Sequence, residues 1–343
     1  MSKILYFHHY NDFSGSTKVL SDYISSLNDN KGDIVILTDS SKRGFLSDID
    51  ATLINVPIIR YHGRAIPVIS QFLWFFIGLF KAFRYGQNYD TFYINTLIPM
   101  YAAIVGVVLN KKIIYHIHEK YITHSLKSRA AEYIFNHVKA ERKFVSKYVA
   151  DKYKPLAGCT SSINYNKLGR SFVNKVKIVP FEEHRLNEVI MISSLQKGKG
   201  VDNYLRLAEK MSDLHFTLIV SASQERILSY FSTAIPSNLD IYPAQSNIHP
   251  FLQKADVILN MSIPSMCVET FGMTIIEGMA YGLPAIVPNA GGPVELVDNG
   301  FNGFSVDVTD IDIVAKYLRE ILISDNYLVF RNNALKRVQK YIY

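Results

Sequence analysis

"VETFGMTIIEGMAYGLP", residues 268–284, sets two carboxylates, Glu269 and Glu277, eight positions apart with Gly272 between them. Thr270 reads as an N-cap and Gly282, followed by Leu-Pro, as a stop; Phe271, Ile275, Ile276, Met279 and Ala280 form one stripe, so the pattern predicts a helix over 271–281. Eight residues of helix rise about 12 Å and bring two such positions within about 80° of each other around the axis. The helix start at Phe271, Gly272 and Met273 offers free N–H groups to an anion, and Gly272 lets a ligand approach the backbone. Carboxylates are poor phosphate ligands but good acceptors for sugar hydroxyls. The segment therefore points to a ligand with an anion in its middle and hydroxyls at both ends, such as a nucleotide diphosphate sugar. Glu269 would take the sugar and Glu277 the ribose. Two solvated glutamates at a helix edge would give the same spacing.

Outward from this segment, the pattern is strand, helix, strand, repeated. Short β-branched or aromatic runs at 3–7, 33–38, 91–95 and 112–116 alternate with helical patterns at 17–27 and 100–109. The alternation restarts in the second half, with strands expected at 188–193, 216–221, 240–242, 257–260 and 285–288 and helices at 202–211, 251–254, 271–281 and 311–323. Alternation of this kind builds parallel sheets with helices on both faces, whose ligands bind at the carboxyl ends of the strands. The expected class is α/β, two Rossmann-like domains facing across a cleft. The boundary falls in "VKIVPFEEHRLNE" (176–188), giving domains over 1–183 and 184–343.

The length of 343 residues suits two domains, and 48% hydrophobic with 20% charged residues is a globular composition. Two cysteines, Cys159 and Cys267, make no disulfide framework and suit a reducing, cytoplasmic compartment. "MSKILYF" reads as a first strand, not a signal peptide. The net charge of +7 is uneven: residues 1–186 hold 25 Lys+Arg against 14 Asp+Glu, and 187–343 hold 12 against 16. No Lys/Arg-rich run or nucleic-acid-binding motif is present, so an anionic lipid or a phosphate-bearing acceptor at a membrane fits the basic half better than nucleic acid. The run "IPVISQFLWFFIGLF" (66–80) is too short and too interrupted to span a membrane. It reads either as a buried core helix or as a helix that dips into an anionic surface, with Trp74 at its centre and Arg60, Arg64, Lys81 and Arg84 flanking it.

Smaller signals remain. "SGSTKVL" (14–20) opens a helix after the first strand; Gly15 suits a tight turn, and the amides of Ser16 and Thr17 could approach a phosphate. "IIYHIHEK" (113–120) ends a strand with His116 and His118 on one face, and no third ligand at metal spacing accompanies them. Asp48-Ile-Asp50 and Asp310-Ile-Asp312 are D-x-D triplets better explained as a polar loop and a helix start. No G-x-G-x-x-G follows the first strand, which disfavours a dehydrogenase.

Glu269-x7-Glu277, "GMAYGLPAIV" (278–287) and "GGPVELVDNGFNGFSV" (291–306) resemble the C-terminal donor site of retaining glycosyltransferases of family 4, the group 1 type of bacterial surface-polysaccharide synthesis, which have the GT-B fold. The resemblance implies sugar transfer from a nucleotide diphosphate sugar to a saccharide or polyprenyl-linked acceptor, with an acceptor-binding domain over 1–183, a donor-binding domain over 184–343 and no metal or other cofactor, at the inner face of the cell membrane. It places Glu269 on the sugar near the reacting carbon, Glu277 on the ribose, and Thr270, Phe271, Gly272 and Met273 on the sugar and diphosphate. The family pairs an arginine with a lysine five residues on. In "MISSLQKGKGVDNYLRLAEK" (191–210) Lys199 falls on the lysine and Ser194 on the arginine, so Lys197 or another cation would have to compensate. The loop with Gly15 and Ser16 would close over the donor phosphates, and His118, rather than His116, would touch the sugar. The family's long C-terminal helix crossing back to the first domain is expected to be short or absent in "RNNALKRVQKYIY" (331–343). A nucleotide-sugar epimerase on the same fold, and a degenerate partner subunit, are the competing readings.

Overall fold

The computed structural model describes residues 3–27, 34–58, 60–61, 64–65, 67–119, 126–181, 185–231 and 235–343. Two compact units divide the chain, Met1–Gly169 and Arg170–Tyr343. The boundary expected at 183/184 lies outside the described residues.

The first unit carries a seven-stranded parallel sheet in the order Thr52–Asn55, Val35–Asp39, Ile4–Tyr10, Thr91–Asn95, Lys112–Ile117, Glu141–Phe144 and Thr160–Ile163. The second carries a six-stranded parallel sheet in the order Leu239–Tyr242, His215–Val220, Glu188–Ser193, Val257–Leu259, Ala285–Pro288 and Gly303–Val306. Each is a doubly wound Rossmann order whose direction of winding reverses once. The reversal lies between Ile4–Tyr10 and Thr91–Asn95 in one unit and between Glu188–Ser193 and Val257–Leu259 in the other. Central strands of such sheets are covered on both faces, so they read as continuous apolar runs. All five residues of Thr91–Asn95 and all four of Ala285–Pro288 are buried.

Three strands, Thr91–Asn95, Glu188–Ser193 and Ala285–Pro288, have the limits their apolar runs suggest. Strands with a polar reading escaped the pattern. Thr160–Ile163 lies at a sheet edge and is exposed throughout. Glu141–Phe144 hides Arg142, which is 1% exposed and donates to the Phe135 carbonyl at 2.6 Å. The helices follow period 3.6: Ile311–Ile321 buries Ile311, Val314, Ala315, Leu318 and Ile321 on one face.

Of the two readings of the run 66–80, Trp74 takes the buried one and does not face outward. It lies in the helix Pro67–Gly86 but is 2% exposed, edge-on to His9 and Tyr101 with centroids 5.0 and 5.1 Å away, with the Lys127 ammonium 4.7 Å from its ring centre. Among the described side chains of this helix, Phe72, Leu73, Phe76, Phe80 and Phe83 are the large exposed apolar ones. Ile66 and the side chains of Arg60 and Arg64 lie outside the described residues, while Lys81 donates to the Asn55 carbonyl. Among the described residues no helix is long and apolar enough to cross a membrane. Near the C-terminus lies a 15-residue helix, Ser324–Val338. It buries Tyr327, Phe330, Arg331, Ala334 and Val338 within the second unit, and Arg331 donates to the Val179 carbonyl.

Candidate functional site

In the second unit the winding reversal brings together two strand-end loops, Ser194–Gly200 and the segment from Asn260 to Gly272. A short turn over Lys197–Lys199 ends at Gly200, whose φ of 69° is left-handed, before the helix Val201–Lys210 begins. A Cβ on Gly200 would overlap the Met261 carbonyl, and one on Gly198 would come within 2.9 Å of the Cys267 Cβ. The Gly198 carbonyl accepts from the Ile263 N–H at 2.8 Å. This contact between glycine-rich turn and loop delivers Lys199 onto Glu269, with which it forms an ion pair. The two side chains are 17% and 26% exposed. Burial opposes the Lys199 charge, but the Glu269 carboxylate and the neighbouring Cys267 thiol outweigh it and hold the lysine above its ordinary pKa.

Glu269 does not belong to the helix that carries Glu277. The helix is Met273–Met279, and its cap is Gly272 with φ 110°, a conformation open to glycine and costly for Thr270. Helical geometry therefore does not relate the two glutamates, while Gly282 (φ 80°) ends the helix as expected: its N–H donates to the Met279 carbonyl at 3.0 Å and the Leu283 N–H to the Gly278 carbonyl at 3.1 Å. The loop is held from the other side. The Gly292 N–H donates to the Glu269 carbonyl at 2.9 Å, and a Cβ on Gly291 or Gly292 would overlap the Glu269 or Thr270 carbonyl. These two glycines of the G-G-P turn let backbone pack directly on backbone. Glu277 is 4% exposed. Phe271 is 2% exposed with its ring against Tyr341, centroids 5.9 Å apart, so only its backbone is offered to a ligand. Met273 is half-buried and Lys197 exposed. Ser194 is half-buried; its carbonyl accepts from the Gln196 N–H and the Ser193 hydroxyl, each at 2.9 Å.

In the first unit the reversal point collects a different set. His118 follows the strand Lys112–Ile117 and donates from Nε2 to Asn95 Oδ1 at 2.8 Å. His116 lies beside it, ring centroids 4.4 Å apart, and is tied to the Tyr93 hydroxyl at 3.0 Å. Burial lowers His116 to about 3 and His8 to about 4, and pushes His118 well below the ordinary histidine value, so all three rings are neutral at pH 7. Gly15 is the first residue of the helix Gly15–Ser26, and a Cβ there meets nothing within 4 Å. The turn before it is made instead by Asp12, whose Oδ1 accepts from the Ser14 N–H at 3.0 Å and the Ser14 hydroxyl at 2.6 Å. A cavity of about 320 Å³ adjoins these groups, lined by His8, His9, Tyr10, Asp12, Ser14, Ser16, Thr96, Ile98 and Glu119. Thr96 is buried in the left-handed region at φ 80°, a strained place for a β-branched residue and typical of functional loops.

His8, Asn95 and Asp12 were not singled out from the sequence. The signal that marks them is a polar residue closing an apolar central strand, as in "ILYFHHY" and "TFYIN". Both D-x-D triplets are local structure, as expected. Asp48 pairs with Arg43 at 2.8 Å, and Asp310 caps its helix by accepting from the N–H groups of Asp312 and Ile313. Among the described residues no cluster of three potential metal ligands exists.

Residues 175–340 match the family model described as Glycosyl transferases group 1. The second unit is a group 1 glycosyltransferase domain. The chain is 40% identical over 77 residues to a sucrose synthase of Denitrovibrio acetiphilus, a stretch that is 21% of this chain and about a tenth of that protein's length. Solved structures extend the likeness to the whole chain. The crystal structure of Anabaena HepE in complex with UDP and glucose superposes with a TM-score of 0.80 at 18% identity, covering 100% of this chain and 96% of that one. The apo form of the lipopolysaccharide outer core galactosyltransferase WaaB superposes at 0.71 with 16% identity, covering 99% and 95%. At such identity the likeness establishes the fold, GT-B with two Rossmann-like halves.

Proposed function

We propose that the protein transfers a hexose from a nucleotide diphosphate sugar to a saccharide acceptor carried on a lipid, retaining the anomeric configuration and using no metal. The observation that carries this reading is the Lys199–Glu269 ion pair, set at the strand ends of a group 1 glycosyltransferase domain beside the helix of Glu277. A departing diphosphate gains negative charge in the transition state. Lys199, which its surroundings keep protonated, would meet that charge, and Glu269 would hold sugar hydroxyls as an acceptor. Glu277 would take the ribose. The polar strand ends of the first unit, including His118, would contact sugar hydroxyls. UDP is the first donor nucleotide to test, because HepE was solved with UDP and glucose.

A lipid-linked acceptor is supported by the basic first half of the chain and by the exposed Phe72, Leu73, Phe76, Phe80 and Phe83 of one helix, which suit peripheral contact with an anionic membrane. The WaaB likeness agrees with a role in cell-surface polysaccharide synthesis. A donor-binding partner subunit is the second reading, favoured by Ser194 at the position of the family's arginine.

Thermal shift of the full chain, with and without Mg²⁺, against UDP, GDP, dTDP, ADP, CMP and their sugars tests the proposal. One diphosphate is expected to raise the melting temperature without metal, and Glu277→Gln to remove that rise. Binding without turnover on lipid-linked acceptors would favour the partner subunit. No rise with any nucleotide would overturn the donor site.

A further inference from the structure

The polar groups at the winding reversal of the first unit form one chain of hydrogen bonds whose polarity can be solved. Asn95 is fully buried, and its Nδ2 lies 3.1 Å from the Ser16 carbonyl. A carbonyl only accepts, so the amide nitrogen must face it, and Oδ1 must face His118 Nε2 at 2.8 Å. His118 therefore carries its proton on Nε2. The same Asn95 Nδ2 lies 3.0 Å from His8 Nδ1. The Asn95 carbonyl lies farther from that nitrogen, at 3.4 Å. A proton on His8 Nδ1 would confront the amide N–H head-on, so Nδ1 accepts and Nε2 carries the proton. His8 Nε2 then donates to the Thr17 hydroxyl at 2.9 Å, and Thr17 donates to Asp12 Oδ1 at 2.7 Å. From His118 through Asn95, His8 and Thr17 every donor points the same way, ending on a carboxylate.

We infer that Asn95 is a positioning residue that fixes the tautomer of His118 and so presents His118 Nδ1 as an acceptor to a substrate hydroxyl. The inference rests on the proposed reading that this unit meets a sugar. Among the described residues His118 Nδ1 has no hydrogen-bond partner, and the ring keeps 6% exposure. With Nε2 committed to Asn95, the ring can accept a hydroxyl proton but cannot deliver one of its own. The strained Thr96, next in sequence to Asn95, is held on the other side, where its N–H donates to the His116 carbonyl at 2.9 Å. Asn95 is thereby locked between the two strands whose ends it joins. The ligand class is a polyhydroxylated one, a sugar bearing a hydroxyl that donates to Nδ1.

The test is long-range ¹H–¹⁵N correlation spectroscopy of the full chain labelled with [¹⁵N]histidine, with rings assigned by His118→Gln and His8→Gln. In the wild type both rings are expected neutral at pH 7 with the proton on Nε2. Asn95→Leu is expected to give His118 a mixture of tautomers. It should lower kcat for UDP release from UDP-glucose about tenfold or more, with KM changed less than twofold. Asn95→Asp keeps an acceptor toward His118 and is expected to restore the Nε2 tautomer and most of kcat, while moving the His8 proton to Nδ1. An Nδ1-protonated His118 in the wild type, or a His118 tautomer indifferent to Asn95→Leu, would overturn the inference. Turnover untouched by His118→Gln would instead overturn the reading on which it rests, and the inference with it. The spectra decide the hydrogen-bond chain whichever sugar the enzyme uses.

Discussion

Lys199 illustrates how much a single side chain depends on what it meets. Its position in "KGKG" marks it only as one of two lysines; the tertiary contact with Glu269 and Cys267 makes it a partly buried group whose charge is favoured, while Lys197 stays in solvent. Lys199→Met is expected to lower kcat for sugar transfer by about 10²-fold, the usual loss when one group meeting transition-state charge is removed. The melting temperature should move little, because a partly exposed ion pair contributes only about 1 kcal/mol. Initial rates against donor concentration check both parts, and a rise in KM alone would assign Lys199 to ground-state binding.

Two elements make contrasting predictions. In the G-G-P turn, Gly291→Ala or Gly292→Ala forces a Cβ into the backbone of Glu269 or Thr270, at φ 86° in the first case. Each is expected to abolish nucleotide-induced stabilisation and to cost about 1–3 kcal/mol. Gly15→Ala meets open space at the first position of a helix and should leave the stability intact or raise it by about 0.5 kcal/mol. Melting curves of the three variants with and without UDP decide the matter. In the helix Pro67–Gly86, Trp74→Ala should cost about 3–5 kcal/mol as a core deletion. Phe72→Ser, Phe76→Ser and Phe80→Ser combined should leave the melting temperature nearly unchanged but release the protein from vesicles containing anionic phospholipid. Equal sedimentation of the triple variant and wild type with such vesicles would remove this face from the membrane reading.

The whole molecule should respond to acid through its first unit. His8, His116 and His118 are buried and neutral, with His8 at about 4 and His116 at about 3 against about 6.5 in an unfolded chain. Between those values the unfolded chain binds more protons, so stability rises with pH across that window. It is fully present above pH 6.5 and is lost as pH falls toward 4. His8 alone accounts for a change on the order of 3 kcal/mol. Urea unfolding at pH 7.5 and pH 5 is expected to show a clearly lower midpoint at pH 5, and coincident midpoints would mean that these rings are not buried neutral in solution.

The periodicity of the chain was enough to specify two parallel α/β halves, because strands covered on both faces must be continuously apolar and their helices must be striped. The two glutamates Glu269 and Glu277 were likewise legible as candidates, though the single helix read from their spacing was not what folding made of them. Folding alone settled which side chains meet. Edge strands such as Thr160–Ile163 carry no burial signal, and a cap at Gly272 in place of Thr270 depends on a left-handed φ that no composition reveals. Trp74 read equally as core or as surface anchor because an apolar run does not say which of its faces is covered. The Asp12–Thr17–His8–Asn95–His118 chain joins residues up to 110 positions apart, and only sheet order places their strand ends side by side.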